Sequence, residues 1–193
     1  VWSPGTYRQD QGGKLNIHRG YKGNIFLELV VEGGDWGGRT DGRDLTSVYF
    51  ALVNAPLSRL IQALNTLFDR DDRILVEGFY DEVRPPTSEE EDELRKLLET
   101  INEERLKREL CIKKFKKGSF EDLFKNFILG PLITIDGIIS GYTGPGISTT
   151  LPMKATAKID VRLVPNMEID STVTKINRHL KNRGINEVEV RKL

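Results

Sequence analysis

The sequence predicts an α+β fold of the ferredoxin-like type, with a βαββαβ order that forms one antiparallel sheet and places two helices on one of its faces. Two patterns of apolar residues support this prediction. Between Ala155 and Leu163 they alternate strictly, which is typical of a half-buried strand, and between Asn54 and Asp69 they recur at helical spacing. The third observation is the order of such segments, which gives βαββαβ once a mostly helical insertion over residues 70–130 is set aside.

The chain is predicted to enter the sheet through a linker and a central strand. Residues 1–22 are polar and contain glycine, as is typical of an extended lead-in. From Asn24 to Glu32 apolar residues alternate, and Phe26 and Val30 make the second face apolar too, so we predict a strand at a central position. Five glycines in residues 33–44 indicate a flexible connection that is disordered in part.

A helix and a helical insertion follow. In the helix over 54–69, Pro56 suits the first turn, where its missing N–H costs nothing. The insertion is predicted to begin with a short strand near Ile74 to Glu77 and to continue as helices over 87–128. Two capping boxes predict the starts of these helices, Ser88 with Glu91 and Ser119 with Asp122.

The last third of the chain supplies the remaining elements. After Pro131 the run LITIDGII predicts a strand, and a loop with glycines at 141, 144 and 146 leads into the strand over 155–163. A final helix is predicted to begin at a cap formed by Asp170 or Ser171 and to end before Gly184. The terminal EVEV predicts the last strand. The apolar positions of the final helix are Val173, Ile176 and Leu180.

Length and composition limit the classes of protein that fit. The 193 residues, 38% of them hydrophobic, predict a single domain over 1–193 that carries an insertion. With 29 basic and 29 acidic residues the net charge is zero, so we expect neither a nucleic-acid partner nor a membrane partner. The single Cys111 cannot form an internal disulfide, which favours the cytoplasm, and its apolar neighbours predict a buried or half-buried thiol. Because the chain lacks an initiating Met, we expect an excised fragment.

The titratable residues argue against a catalytic centre in this chain. A catalytic zinc needs about three protein ligands, whereas the chain has only His18 and His179, with no zinc-ligand spacing. His179 has polar neighbours and is interpreted as a surface residue. We therefore expect no catalytic residue, no cofactor and no bound metal. Residue patterns alone leave two interpretations of the glycine loop, a plain turn or the pocket of a self-contained ferredoxin-like small-molecule-binding module.

Three stretches carry a resemblance to a known family. They are GNIFLELVVEG, the segment from RDLTSVYF to GFYDEVRPPT, and GYTGPGISTTLPMKATAKIDVRLVP. They resemble the first lid strand, the lid helix with its following turn, and the loop and RLVP strand end of the zinc exopeptidase family that contains aminoacylase, carboxypeptidase G, carnosinase and succinyl-diaminopimelate desuccinylase. The similarity covers most of the chain, fits the carnosinase-like dipeptidase branch best, and is to the non-catalytic dimerisation or lid domain.

This resemblance implies a function. It implies a dimerisation and substrate-covering domain, inactive on its own, of a zinc-dependent metallopeptidase or amidohydrolase that acts on small peptides or N-acyl amino acids. The zinc of such a parent lies in a separate catalytic domain, and the parent is a homodimer that pairs through this domain. The family's zinc ligands flank the lid in sequence, which is consistent with their absence here.

The resemblance also implies roles for individual residues. Arg162 matches the arginine that binds the substrate carboxylate, and its planar fork suits that task. Thr46 stands where the family has a histidine that reaches across the dimer to polarise the scissile carbonyl, and residues 48–50 replace the usual glycines. This departure predicts altered or lost activity, or a role that is filled elsewhere. The loop residues expected to bind substrate are Gly141, Tyr142 and Thr143.

Overall fold

The structure, a computed structural model, describes residues 20–193. Most of the predicted lead-in and His18 lie outside the described residues. The strands are β1 (Gly23–Glu32), β2 (Leu45–Thr46), β3 (Leu132–Ser140), β4 (Thr150–Leu151), β5 (Lys154–Leu163) and β6 (Glu189–Lys192). The helices are α1 (Pro56–Thr66), α2 (Ser88–Thr100), α3 (Glu103–Glu109), α4 (Phe120–Leu129) and α5 (Ile169–Asn182), and a 3-10 helix spans Ser47–Ala51.

The main sheet confirms the predicted α+β class. Its four strands lie in the order β3-β5-β1-β6, and every neighbouring pair is antiparallel. With α1 and α5 in the crossovers, this order is compatible with the ferredoxin-like arrangement. The prediction of a central position for β1 is confirmed, because β1 pairs with β5 on one side and with β6 on the other.

The core lies between one face of the sheet and the two helices. The alternating residues of β1 and β5 point into it, as the sequence pattern predicts, and the apolar stripes of α1 and α5 cover them. Ile61 is one of the apolar residues that recur at helical spacing over 54–69, but it faces outward on α1 and is 53% exposed. Fully buried members of this core include Leu27, Leu29, Leu60, Leu67, Phe79, Ile159 and Ile176.

Strand β3 forms one edge of the sheet. It pairs with β5 along its length, and its register shifts between Ile135 and Gly137, which marks a β-bulge. Several of its apolar side chains remain exposed because no helix of the described chain covers them: Leu132, Ile135, Ile138 and Ile139. This long strand therefore presents unpaired backbone groups and apolar side chains to solvent.

Several predicted boundaries need correction. The short strand expected near Ile74 to Glu77 is wrong, because Ile74 makes only an isolated bridge to Phe68 before the chain turns. Helix α2 is capped one residue earlier than predicted, by Thr87 with Glu90, since that pair makes both capping-box bonds. The predicted Ser119 cap of α4 is confirmed by its hydrogen bond from the Asp122 N–H. The last strand begins two residues after the start of EVEV.

The start of α5 also differs from the prediction. The helix begins at Ile169, and neither Asp170 nor Ser171 caps it. Instead the carboxylate of Glu82, from the insertion, accepts hydrogen bonds at this terminus from the Glu168 N–H at 3.1 Å, the Ser171 hydroxyl at 2.5 Å and Lys175 Nζ at 2.7 Å. A carboxylate from a distant segment thus accepts from one orphan backbone N–H of this terminus and from two side chains. The local sequence carries no signal for such a contact.

Glu82 gives a prediction about acid stability. Hydrogen bonds from Lys175, Ser171 and the Glu168 N–H lower the pKa of Glu82 from 4.5 to about 2. Because the folded pKa is depressed, this carboxylate stabilises the fold above about pH 4.5 and loses that effect as the pH falls toward 2. We expect Glu82→Gln to be less stable than the native chain at neutral pH, and the gap to close in acid. Urea unfolding across this pH range measures it, and a pH-independent gap would contradict the assignment.

Every helix among residues 20–193 is too short or too polar to cross a membrane.

Candidate functional site

The short pair β2–β4 brings Thr46 against the glycine loop. Thr46 and Thr150 are register partners, and the Ser47 N–H donates to the Thr149 carbonyl at 2.9 Å. Ser148 Oγ lies 3.2 Å from Thr150 Oγ1, so hydroxyl groups gather beside Thr46. The structure therefore joins two features that are about a hundred residues apart in sequence. Sequence reasoning did not predict this pairing, because two-residue strands leave no periodic signal.

The glycine loop owes its shape to its glycines and to Tyr142. Gly141 and Gly146 have positive φ angles of 66° and 88°, which glycine adopts without strain. The Tyr142 hydroxyl donates to the Pro145 carbonyl at 2.8 Å, and the ring folds back over the loop. A Cβ at Gly144 would lie 2.6 Å from that hydroxyl oxygen, so the close approach requires glycine. Tyr142 and Thr143 are exposed, and the loop presents them to solvent.

A surface cavity of about 340 Å³ lies at the base of this loop. Asp44 connects its walls, because Asp44 Oδ1 accepts from the Met153 N–H at 3.1 Å. Of the loop residues expected to bind substrate, only Gly141 lines this cavity. Its lining residues are Asp44, Ile139, Ser140, Gly141, Pro152, Met153, Lys154 and Thr156.

Residues 46–51 form an exposed, apolar tip that begins with Thr46. Val48, Tyr49 and Phe50 lie in the 3-10 helix that follows Thr46, and their side chains face solvent. Ile147, in the neighbouring loop, is 93% exposed. Thr46 itself is exposed at the root of this tip, a position from which a longer side chain would extend away from the chain.

Arg162 lies at the opposite end of β5 from this loop. Arg162 lies eight residues along the strand from Lys154, where β5 begins, so the two residues are about 26 Å apart at the usual strand rise. Arg162 Nε and Nη2 both bind Asp160 Oδ2, at 2.8 and 2.7 Å, and the Arg162 side chain remains 43% exposed. The structure thus separates Arg162 from Gly141, Tyr142 and Thr143 within one chain, and the substrate-binding roles of all four remain predictions.

Lys22 is a further cation beside Arg162 that sequence reasoning missed. Lys22 Nζ donates to the Gly130 carbonyl at 2.5 Å and to the Asn126 carbonyl at 3.4 Å, both at the C-terminal end of α4. Burial and then the charge of Arg162 lower the pKa of Lys22. Lys22, Arg162 and Asp160 form a charged cluster. Asp160 is buried, and its Oδ1 has no hydrogen-bond partner among residues 20–193.

Two predictions about single residues are wrong. His179 was expected at the surface but is fully buried. Both nitrogens of its ring have polar partners there: Nδ1 lies 2.9 Å from Glu77, and Nε2 lies 2.9 Å from the Thr66 carbonyl. Its spacing of three residues from the core residue Ile176 was the available signal. Cys111 is exposed rather than buried, since it sits in the turn after α3 with φ at 55°.

The described residues do not fit a metal centre. Within 20–193, no group of three or more His, Cys, Asp or Glu side chains is placed to hold a metal ion. His179 is taken up by two structural hydrogen bonds, to Glu77 and Thr66. A zinc-dependent reaction would therefore need ligands from outside these residues.

Comparison with known proteins points to one family. A family model described as the peptidase dimerisation domain matches residues 46–188. The chain is 29% identical over 169 residues to Beta-Ala-His dipeptidase from Homo sapiens, a match that covers 87% of this chain and 32% of the relative. It is 27% identical over 162 residues to a Cys-Gly metallodipeptidase from Candida albicans, covering 83% of this chain and 32% of the relative. The chain thus spans about a third of the length of these curated relatives.

Solved structures show the same similarity. An M20 family metallo-carboxypeptidase from Sulfolobus solfataricus superposes with a TM-score of 0.78 and 35% identity, covering 89% of this chain and 37% of that one. Human carnosine dipeptidase 1 superposes with a TM-score of 0.74 and 25% identity, covering 90% of this chain and 36% of that one. In both cases the match is to a portion of a longer chain.

Proposed function

Because this chain belongs to the peptidase dimerisation domain family, we propose that it pairs two subunits of a longer zinc-dependent peptidase and covers the substrate in the active site. The chain itself supplies no catalytic residue and no metal ligand in this proposal. It supplies groups that bind and orient the substrate. A single observation carries the proposal: Arg162 lies at one end of β5, and the glycine loop, with Thr46 paired to it, lies at the other end.

One chain cannot bring both features to one small substrate. The separation of about 26 Å along β5 exceeds the length of a dipeptide, which spans about 7 Å when extended. Either the two features serve different ligands, or a second subunit brings them together. The family to which the chain belongs favours the second explanation.

The edge strand β3 offers a geometry that joins them. A twofold axis perpendicular to the sheet would set the β3 strands of two subunits antiparallel and extend two four-stranded sheets into one of eight strands. Since β5 is antiparallel to β3, the two β5 strands would then also run in opposite directions. Arg162 of one subunit would lie at the same end of the sheet as the partner's glycine loop and the partner's Thr46.

The substrates proposed follow from the relatives and from Arg162. The curated relatives are dipeptidases by name, and a similar solved structure is a carboxypeptidase. Such substrates carry a free carboxylate, which the exposed guanidinium of Arg162 is suited to bind. We therefore propose small peptides or N-acyl amino acids as substrates of the longer protein. Because the chain has a single cysteine, which cannot form an internal disulfide, we propose a cytoplasmic location.

Zinc belongs to the rest of the longer protein in this proposal. When bound there, zinc supplies Lewis-acid chemistry and activates water for attack on the scissile bond. Residues of the present chain would contact only the substrate and not the zinc. Arg162 would hold the substrate carboxylate, and the glycine loop would cover the substrate and exclude water.

A variant of the β3 edge tests the dimer. We expect the double variant Ile138→Lys, Ile139→Lys to dissociate the dimer of the longer protein, because pairing of the β3 edges would bury the new ammonium groups without partners. An uncompensated buried charge costs several kcal/mol, so the dissociation constant should rise on the order of 100-fold or more. Sedimentation velocity at micromolar concentration measures the change.

The matched control is Ile61→Lys. Ile61 is also an exposed isoleucine, but it lies on α1, away from the β3 edge, so the control should leave the dimer intact. A native protein that is monomeric at micromolar concentration would contradict the proposal. An edge variant that remains dimeric would show that the subunits pair through another surface.

A further inference from the structure

We propose that Lys22 is a second carboxylate-binding residue that acts beside Arg162 on the same substrate group. This inference rests on the proposed function, and it adds a specificity-determining residue that lies just before the first strand. The position of Lys22 on the sheet, the contacts of its ammonium group and the charge balance of its surroundings support it.

The register of the sheet places Lys22 and Arg162 on one face. Asn24 on β1 is the register partner of Arg162, and both side chains lie on the face opposite the core. Lys22 precedes Asn24 by two residues, so its side chain leaves the extended chain on that same face. Lys22 and Arg162 are thus diagonal neighbours across two strands, a separation of about 7 to 8 Å that long side chains readily close.

The side chain of Lys22 extends across the end of β5, and its ammonium group lies on the β3 side of that strand. Nζ reaches the Gly130 carbonyl, and Gly130 leads into Leu132, which is the register partner of Arg162 on the other side. The side chain therefore crosses from the β1 side of Arg162 to its β3 side. Its two hydrogen bonds, to Gly130 and Asn126, use two of the three N–H donors of the ammonium group. A third donor is left for a ligand.

The charge balance of the cluster favours an anion. Lys22 and Arg162 contribute two positive charges, and Asp160 contributes one negative charge that is bound to Arg162. The lowered pKa of Lys22 has the cause expected of such a cluster, since its ammonium is partly buried and repelled by Arg162. A bound carboxylate would offset both costs. Arg162 would then orient the carboxylate, and Lys22 would add charge and one donor.

A purely structural role for Lys22 is the competing explanation. A cation at the C-terminal carbonyls of α4 also stabilises that helix, as Lys and Arg commonly do. The two roles differ in what they change. A structural role affects the melting temperature and acts on all substrates alike, whereas carboxylate binding changes the preference for a free carboxylate over its amide.

The test compares Lys22→Met with Lys22→Arg in the longer protein. The probes are the dipeptides β-Ala-His and Cys-Gly, each with a free C-terminal carboxylate and as the C-terminal amide. For Lys22→Met we expect the ratio of kcat/KM for acid over amide to fall about tenfold, chiefly through KM, as the loss of a charged hydrogen bond does. Lys22→Arg should keep the ratio within about threefold. The control Lys158→Met removes a lysine from the same face in the middle of β5, four residues from Arg162, and should leave the ratio unchanged.

The outcomes separate this inference from the proposed function. An unchanged ratio in Lys22→Met, with a lower melting temperature, would overturn the inference and leave Lys22 a cap of α4. If Arg162→Ala lowers the ratio while Lys22→Met does not, the proposed function stands and only the role of Lys22 fails. If neither substitution changes the ratio, carboxylate recognition by this domain fails as a whole.

Discussion

Substitution of Arg162 by alanine is expected to lower kcat/KM of the longer protein on the order of 30- to 5,000-fold for substrates with a free carboxylate. This loss corresponds to about 2 to 5 kcal/mol of transition-state stabilisation. The physical reason is the loss of a planar, charged donor pair that matches a carboxylate. Steady-state kinetics on acid and amide forms of one dipeptide measure the effect, and the amide should lose much less.

The environment of Arg162 requires a second variant. Asp160 is buried and relies on Arg162 for its hydrogen bonds, so Arg162→Ala leaves a buried carboxylate without its partner and costs stability as well. The double variant Arg162→Ala, Asp160→Asn removes the stranded charge. We expect it to recover stability without recovering activity. Equal losses on acid and amide substrates in both variants would show that Arg162 acts only through the fold.

Mixed dimers test whether Arg162 serves a site that is shared between subunits. An Arg162→Ala subunit paired with a Tyr142→Ala, Thr143→Ala subunit would have one site with both features intact and one with neither. Random mixing of the two inactive variants should then restore about a quarter of the native activity, because half of the dimers are mixed and each has one intact site. No recovery on mixing would place Arg162 and the loop in the same subunit's site.

Thr46→His in the longer protein is expected to raise kcat by about 10²- to 10³-fold if the rest of the site is intact. Thr46 is exposed at the root of the apolar tip and is held there by its pairing with Thr150. An imidazole at this position would reach farther than the threonine hydroxyl and could donate to the oxygen that becomes negative in the transition state. The gain should appear in kcat, since a donor aimed at a developing charge acts mainly in the transition state.

Thr46→Leu is the matched control for size without a donor. It should give no gain, and so should Thr46→His in a dimer that the lysine substitutions on β3 have dissociated. If Thr46→His has no effect and Arg162→Ala costs nothing, the domain functions for pairing of subunits only. If Thr46→His has no effect while Arg162→Ala is costly, the hydroxyl groups of Ser148 and Thr150 become the candidates for the missing donor.

The sequence predicted the fold where its signal was periodic. The strict alternation at 155–163 and the helical spacing after Pro56 both correspond to elements of the structure, and the resemblance to the lid domain is confirmed by the family match over residues 46–188. The signals that failed were local ones. The cap of α5 comes from Glu82, far away in sequence, and the expected strand at Ile74 lacks any partner beyond Phe68.

The candidate site was harder to predict than the fold. Thr46 and the glycine loop meet through two-residue strands, which are too short to produce a pattern. Lys22 belongs to a polar lead-in, and its relation to Arg162 follows only from the sheet register and from the end of α4. The separation of Arg162 from the loop, by contrast, follows from the length of the strand predicted over 155–163, which β5 confirms with Lys154–Leu163.

The unequal edges of the sheet limit how far it can grow. One edge is β3, with nine residues, and the other is β6, with four. Open-ended polymerisation would have to place the long edge of one molecule on the short edge of the next, where five of its nine residues would face no partner residue, whereas two long edges match in length. The bulge between Ile135 and Gly137 adds local twist, which a flat stack of sheets does not tolerate. In the proposed dimer, the β3 edge therefore favours a closed pair of subunits over a fibril.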